Sequence, residues 1–600
     1  SRGLGDVYKR QRQRHGGIVR KGWRNMRITN RIMRNNSLYN INQNKILEDK
    51  LSNQMMNQSK ITRPSDDPVV AIRALRLRTN VTMVSQYYDK NTEDADSWLS
   101  ITGDALKTVN DVLEDIYEQA ETASKKNFTA ADLDIVLTQM NALAKEFYAS
   151  GNVDYAGRYV FSGYRTDTPI TFTEENIKEF NQDPDNRKSF IISESRGYGD
   201  ISSISYTDWQ GGNGVKEDET QIKNTTLYRF RLSYDDLDFD ENVTSIKRQP
   251  DGSMQAFDKN GNPVPNNAFQ FDMTGVDELT IYEDAESAYK DIAADTTGTK
   301  VAYIPSTGEI VFGEAYYNDP VKVNENMQVN VKYSKSTWEE GDINPVHYFH
   351  CIESDEQNIG KAMSLETAKS TLEKAQSDLK LVEADKNATQ AQLDAARQAV
   401  EVAQEAVDDI MGRVIEYNAD GKDQDIYYAM GFNQDIQVNT HAKEVFTHDV
   451  RRDIDDFEIY LKQLKDVEAV KADIEKKMKE HPEDSAEYKD LQLQMDAADK
   501  AYTYIRDNVQ KKFENQLTKC QNYIDKTNVA VTENGTRGSR LDLIKNRLMG
   551  QKATFKDLQS SNEDVDVTEV AVQLKSSELT YEAALAATSK IMQTNLMNYI

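Results

Sequence analysis

The chain has little cysteine, no long apolar run and no excess of basic residues, and each absence excludes a class of protein. Only Cys351 and Cys520 occur among the 600 residues, so neither a disulfide framework nor a cysteine-rich metal site is expected. No apolar stretch approaches the roughly 20 residues that a membrane-spanning helix needs. The formal net charge of -27 repels nucleic acid and anionic lipid. We therefore expect no nucleic-acid partner and no membrane insertion.

Sequence motifs of catalysis and cofactor binding are also missing. The H-E-x-x-H pattern of metalloproteases does not occur around any of the 6 histidines, and no Gly-rich phosphate loop or Gly-x-Ser-x-Gly elbow is present. The segment His347 to Cys351 holds two histidines and a thiol, but in a strand His347 and His350 would point to opposite faces. We predict a protein without catalytic residues, cofactor or metal.

Residues 1–25 differ from the acidic remainder, because they carry many arginines and lysines against the single Asp6. The segment lacks the apolar core of a secretory signal, and Met26 opens a well-patterned stretch. We interpret Met26 as the natural start and residues 1–25 as a basic leader. A basic arm for nucleic acid is the alternative.

Hydrophobic periodicity predicts long helices near the amino end. Asp66 and Asp67 can cap free N–H groups, and Pro68 suits the first position of a helix. From Leu77 to Ala123 apolar residues recur in steps of three, four or seven, which indicates one stripe along a helical rod. A second helix is predicted from Ala130 to Ser150.

The middle of the chain changes to strand-like runs separated by turn signals. Val301–Ile304, a turn at Ser306-Thr307-Gly308 and Glu309–Phe312 predict a β-hairpin, and Asp258-Lys259-Asn260-Gly261 predicts a turn. The predicted fold class is mainly α with an α+β middle: a long helical rod built from both chain ends, an inserted β-rich domain and coiled-coil inserts.

The predicted divisions follow these changes of pattern. They are a basic leader at 1–25, an amino-terminal helical rod segment at 26–163, a β-rich variable domain at 164–360, a coiled-coil insert at 361–416, a β return segment at 417–446, and a carboxy-terminal helical rod segment at 447–600 with a helical insert at about 466–511. In the coiled-coil insert, heptads before and after Asp385-Lys386-Asn387 keep one register. One long helix and a hairpin are both compatible with that pattern.

The helices predicted at both chain ends have apolar faces that an isolated helix cannot bury. Burying the face of the last helix contributes on the order of 10–20 kcal/mol, whereas fixing some thirty residues costs roughly 1–2 kcal/mol each. The helix therefore needs a partner surface, within the chain or on another copy. The residues predicted to make assembly contacts are Ile41, Leu47, Leu51, Val567, Leu574, Tyr581, Leu585, Met592, Leu596 and Tyr599.

Short motifs at both ends resemble one family. Met26-Arg27-Ile28-Thr29-Asn30 and the segment Lys60 to Ala71 are similar to the amino-terminal signature of the flagellin and hook-associated protein 3 superfamily. Arg537 to Leu541, Ser561 to Asp566 and the closing Leu596 to Ile600 resemble its carboxy-terminal region.

Two further details favour the hook-filament junction family over filament flagellins. Asp66-Asp67-Pro68-Val69-Val70 stands where flagellins typically have Asp-Asp-Ala-Ala-Gly, and Tyr159-Val160-Phe161-Ser162-Gly163 is similar to the junction family's Tyr-Ile-Phe-Ser-Gly. The resemblance covers about residues 26–172 and 437–600. The basic leader and the two helical inserts depart from the family.

The resemblance implies an extracellular structural subunit of the bacterial flagellum that joins the hook to the filament. Its implied partners are copies of itself in a ring, hook-associated protein 1, flagellin, and an export chaperone of the flagellar type III apparatus. That apparatus would export it without a cleaved signal peptide. A filament flagellin is the nearest alternative, and a secreted metallopeptidase on a flagellin scaffold is an alternative from another class.

Overall fold

The computed structural model describes residues 30–125, 129–181, 187–211, 214–250, 252–265, 268–273, 275–385, 388–422 and 424–593. The predicted leader, residues 1–25, lies outside these ranges. Contacts divide the described chain into two compact units, which we call the terminal unit, with described residues 30–86 and 546–593, and the central unit, within residues 87–545.

Helices dominate both ends of the described chain. They are α1 (Asn30–Asn57), α2 (Pro68–Gln86), α3 (Thr92–Ser124), α4 (Ala130–Ala149), α5 (Glu174–Phe180), α6 (Ala285–Ala293), α7 (Glu314–Tyr317), α8 (Ile359–Met363), α9 (Leu365–Ala384), α10 (Gln390–Met411), α11 (Ala442–Val445), α12 (Asp449–Met478), α13 (Ala486–Glu563) and α14 (Val567–Gln593). A π-helical turn occupies Tyr87–Asn91.

The strands lie between α4 and α12. They are β1 (Asp154–Tyr155), β2 (Arg158–Tyr159), β3 (Lys188–Gly197), β4 (Ile201–Asp208), β5 (Gln210–Gly211), β6 (Gly214–Val215), β7 (Lys223–Arg231), β8 (Ser245–Arg248), β9 (Met254–Phe257), β10 (Pro263–Val264), β11 (Phe269–Met273), β12 (Glu278–Ile281), β13 (Val301–Ile304), β14 (Glu309–Gly313), β15 (Gln328–Lys335), β16 (His350–Asp355), β17 (Val414–Tyr417), β18 (Tyr427–Gly431) and β19 (Gln434–Gln437). The predicted fold class, mainly α with an inserted strand region, is confirmed.

Two larger sheets share the apolar core of the strand region. One has the order β10-β9-β8-β12-β13-β14-β7-β4 and the other the order β11-β15-β3-β16-β17. Side chains from both sheets form one buried cluster, in which the ring of Phe269 stacks on that of Tyr303 at 3.8 Å between centroids. The predicted hairpin is confirmed as β13 and β14, which pair Val301 with Phe312.

The long helices α3, α4 and α12 and the first part of α13, up to Lys545, belong to the central unit. Most members of the predicted stripe are buried along α3, including Trp98, Val109 and Ile116. The predicted second helix is confirmed as α4, whose Thr129 side chain accepts a hydrogen bond from Asp132 in a capping box. Helix α4 packs against both α3 and α12, and the ring of Phe457 on α12 stacks on a ring of α13 at 4.2 Å.

The segment between β16 and β17 is a helical hairpin. Helix α9 ends at Ala384 and α10 begins at Gln390. Leu365, at the start of α9, shares a buried cluster with Ile410, near the end of α10, so the two helices run antiparallel. Of the two alternatives that the heptads leave open, the structure therefore shows the hairpin, which we call the coiled-coil hairpin.

The turn between β13 and β14 depends on Gly308. Its φ is +57°, and a Cβ added there would lie 2.0 Å from the backbone oxygen of Tyr234. Gly308→Ala is therefore expected to lower the free energy of unfolding of the central unit by about 3 kcal/mol or more, through strain and steric overlap. Denaturant unfolding followed by tyrosine and tryptophan fluorescence measures this loss.

Gly261 provides a matched control for that substitution. It also has a positive φ, +80°, but a Cβ there would meet nothing within 4 Å. Gly261→Ala should cost only about 1 kcal/mol, from the left-handed backbone alone. Equal losses for the two variants would show that the contact with Tyr234 does not matter.

Candidate assembly surface

A short joint in the terminal unit brings the two chain ends together. The N–H of Lys60 donates to the carbonyl oxygen of Glu563 at 2.7 Å, and the N–H of Val565 donates to that of Gln58 at 3.1 Å. Between them Ser59 and Asp564 form an antiparallel bridge. Because α1 ends just before this joint and α14 begins just after it, the two helices pack side by side and antiparallel.

The predicted helix start has two carboxylates with different roles. Asp67 caps α2, since its Oδ1 accepts from the N–H groups of Val69 and Val70 at 3.0 and 3.1 Å. Asp66 instead closes the preceding turn by accepting from the N–H groups of Arg63 and Thr62, which lower its pKa. Pro68 is the first residue of α2, where its missing N–H costs nothing.

Helices α1 and α14 cover each other along one narrow face. Residues of reduced exposure recur every three or four positions along both helices, as in a coiled-coil seam. They are Ser37, Ile41, Asn44, Glu48 and Leu51 on α1, and Val570, Leu574, Ser577, Tyr581, Ala584 and Thr588 on α14. Outside this repeat, Ser52, Asn53 and Gln54 on α1 and Ala571 and Glu578 on α14 are also half-buried. A seam this narrow leaves most of both helix surfaces open.

The predicted contact residues divide between the seam and the open surface. Ile41 and Leu51 are buried, and Leu574 and Tyr581 are half-buried. Leu47, Val567 and Leu585 are exposed on the outer surface, with Leu585 at 43%. The Met592 side chain, Leu596 and Tyr599 lie outside the described residues.

Exposed apolar side chains are concentrated in the terminal unit. More than half of the exposed large apolar residues in the described ranges lie here, although the unit is much the smaller of the two. On α1 and α14 they are Ile32, Met33, Leu38, Tyr39, Ile46, Leu47, Met55, Met56, Val567, Val572, Leu579 and Leu585. An apolar surface of this extent is typical of a protein interaction site.

Helix α2 adds an exposed apolar row that the sequence reasoning missed. Val69, Ile72 and Leu75 are each more than half exposed, while Ala71 and Ala74 are buried. The spacing of three between the large residues was a usable signal. It was missed because the small alanines, and not the large residues, form the covered face.

The described residues contain no arrangement suited to metal chemistry. No group of three or more His, Cys, Asp and Glu side chains in these ranges could hold a metal ion. The His347 ring contacts the backbone oxygen of Pro169 at 3.1 Å, and Cys351 is buried in the strand core, which raises the pKa of its thiol. None of the described helices has both the length and the apolar character needed to cross a bilayer.

Comparison with known proteins finds a match for the amino-terminal part of the chain. Residues 28–166 match the family model of the bacterial flagellin N-terminal helical region. This part of the chain is similar to that helical region. The matched residues begin before α1 and extend beyond α4, so they include α2 with its exposed row.

The curated relatives are hook-associated proteins. Flagellar hook-associated protein 3 of Escherichia coli K12 is 27% identical over 210 residues, which are 34% of this chain and 63% of the relative. That of Salmonella typhimurium LT2 is 27% identical over 143 residues, 24% of this chain and 45% of the relative. The chain thus spans less than two thirds of the length of either relative. The resemblance to hook-associated protein 3 that the motifs indicate is confirmed.

A solved structure from the same group aligns at low similarity. The flagellar junction protein FlgL from Legionella pneumophila matches at 11% identity over 57% of this chain and 95% of its own, with a TM-score of 0.19. At this TM-score the alignment does not bear on the arrangement of the elements.

Proposed function

We propose that this chain is a structural subunit of the bacterial flagellum that joins the hook to the filament and performs no catalysis. The observation that carries the proposal is the open apolar surface of the terminal unit, on helices that belong to or pack against the region matched by the flagellin family model. While this surface faces water, its side chains contribute no burial energy. When neighbouring subunits cover it, the burial of each large side chain stabilises the assembly by about 1–3 kcal/mol.

The joint supports this role because it presets the pairing of the two ends. Because α14 already packs against α1 within one subunit, part of the conformational entropy cost of ordering the two helices is offset before assembly. The outer faces then remain for contacts between subunits. We assign these contacts to copies of the chain in a ring, to hook-associated protein 1 on one side and to flagellin on the other.

The same surface fits the proposed route to the cell exterior. Exposed apolar helices would aggregate before assembly, so an export chaperone of the flagellar type III apparatus is the partner expected to cover them inside the cell. The proposed location is extracellular, within the flagellum, after export without cleavage of a signal peptide.

Gold-labelled antibody against the central unit tests the proposed location. Electron microscopy of intact flagella should show label only in a short zone between hook and filament. Antibody against flagellin serves as the control and should label the whole shaft. Label along the whole shaft with both antibodies would instead identify a filament flagellin, and label absent from flagella would refute a structural role there.

A further inference from the structure

The coiled-coil hairpin is seated on one face of the five-stranded sheet. Its base contributes Leu365, Val407 and Ile410 to a buried cluster that also contains Ile191 of β3 and Ile352 of β16. Farther out, the seam residues from Ala368 to Val382 and from Leu393 to Val400 are only half-buried. The attachment of the hairpin to the rest of the central unit therefore depends on this base.

A histidine at the rim of that seat touches both sides of the hairpin. The Nδ1 atom of His350 lies 3.4 Å from a carboxylate oxygen of Glu366, in the first turn of α9. Its Nε2 atom lies 2.8 Å from a carboxylate oxygen of Glu416, on β17, the strand that follows α10. The imidazole ring of His350 on β16 thus contacts both the entry and the exit of the hairpin.

The protonation state of the His350 ring determines whether its contacts with Glu366 and Glu416 can both form. An ionised carboxylate only accepts hydrogen bonds, and a neutral imidazole carries only one N–H. Both contacts are hydrogen bonds only when His350 is an imidazolium with two N–H groups. We propose that protonated His350 is a pin that fastens the coiled-coil hairpin to the sheet, and that loss of one proton loosens the first turns of α9.

The neighbouring charges make the loosening one-sided. Lys332 of β15 lies 3.3 Å from Glu366, and Lys369 of α9 pairs with Glu416; the residue beside His350 on β3 is the uncharged Ser193. A neutral ring keeps its proton on Nε2, at the shorter contact with Glu416. Its unprotonated Nδ1 then faces the carboxylate of Glu366, so α9 loses this contact and keeps those of Lys332 and Lys369, whereas Glu416 on β17 keeps its contact with His350.

The direction of the titrations agrees with this account. The pKa of His350 is raised by its hydrogen bond to Glu366 and by Glu416, against the opposite effect of burial. The hydrogen bond from His350 helps to lower the pKa of Glu366 to about 2, so that carboxylate stays ionised as His350 titrates. For a histidine whose folded pKa is raised, the stabilisation is complete below its unfolded pKa, about 6.5, and is lost as pH rises through the folded pKa.

Nitrogen NMR of the full chain, labelled only at its 6 histidines, tests the protonation state directly. His350 should show both ring nitrogens protonated at pH 6 and titrate with a midpoint above about 6.5, the ordinary value for histidine. The control residue is His481, an exposed histidine between α12 and α13. A His350 ring with a single proton at pH 6 would overturn the proposal.

Hydrogen exchange tests the consequence for the hairpin. Beyond the intrinsic effect of pH, backbone exchange in residues 368–375 should become about 3–10-fold faster between pH 6 and pH 9, while residues 403–410 change little. His350→Gln should show the faster exchange at both pH values, and His481→Gln should behave as the unaltered chain. Equal pH responses of the two segments, or of the two variants, would contradict the pin.

Discussion

A subunit carrying Leu585→Asp is expected to fold normally and to fail to enter the flagellum. Leu585 is 43% exposed on α14, so an aspartate there remains hydrated in the monomer and costs the fold little. In an assembled interface the same carboxylate would be buried without a partner, which costs several kcal/mol at every contact. We expect the loss of motility and of antibody label at the hook-filament boundary.

Thr580→Asp is the matched control, because Thr580 is an exposed polar residue on the same helix. It adds the same charge to α14 outside the seam, and none of its neighbours three or four positions away is an exposed large apolar residue. This variant should retain most of its incorporation, and circular dichroism should show equal melting for both variants. Normal incorporation of Leu585→Asp would refute the assignment of this surface to assembly.

Helical periodicity located the covered seam better than the open surface. Leu574 and Tyr581 were predicted from a repeat of three and four, and they do lie against α1. Leu585 belongs to the same predicted stripe but is exposed. A period of 3.6 gives the apolar side of a helix, whereas the width of the covered strip depends on the partner helix, which is far away in the sequence.

The same limit applies to the coiled-coil hairpin. Its heptads identify the seam residues, from Leu365 to Val382 and from Leu393 to Ile410, and these residues do face each other. Because both halves keep one register, the repeat could not distinguish a straight helix from a hairpin. The seat on the five-stranded sheet, and with it the role of His350, comes from residues that no local pattern connects.

The sheets were predictable only where neighbouring residues pair. The segment Val301 to Phe312 has a turn between two apolar runs, and this local pattern predicts the hairpin that the structure shows. The parallel pairing of β12 with β13, and the order of the other strands, follow from contacts between distant residues. Sequence patterns of one segment carry no information about such partners.

A buried ionic network between β7 and α12 was missed entirely. Arg229 donates to Glu309 at 2.5 Å and to Asp456 at 2.6 Å, and Arg231 donates to Asp453 at 2.7 Å. The signal was present, because two arginines alternate along a strand and acids recur along α12 among apolar residues. Charges at such spacing usually belong to solvated faces, so burial could not be inferred without the partner element.

Replacing Arg229 by methionine is expected to lower the free energy of unfolding of the central unit by about 3–5 kcal/mol, because the buried carboxylates of Glu309 and Asp456 each lose one cation. Arg229 is only 1% exposed. Arg397→Met is the control, since Arg397 is 59% exposed and pairs loosely with Glu383 at 3.7 Å. That variant should lose less than about 1 kcal/mol. Denaturant unfolding at pH 8 measures both.

The pH dependence of the Arg229→Met deficit separates lost charge from lost packing. In the native network, burial raises the pKa of Asp456, but Arg229, Lys512 and Arg231 lower it more strongly. Stability from such carboxylates is present above their unfolded pKa, near 4, and is lost as pH falls through the folded values. Without Arg229, the side-chain partner that the described residues leave to Glu309 is the hydroxyl of Tyr289. A buried carboxylate without a cation beside it is stabilised by taking up a proton. The deficit should therefore shrink between pH 8 and pH 5, whereas a deficit that stays constant would assign the loss to packing.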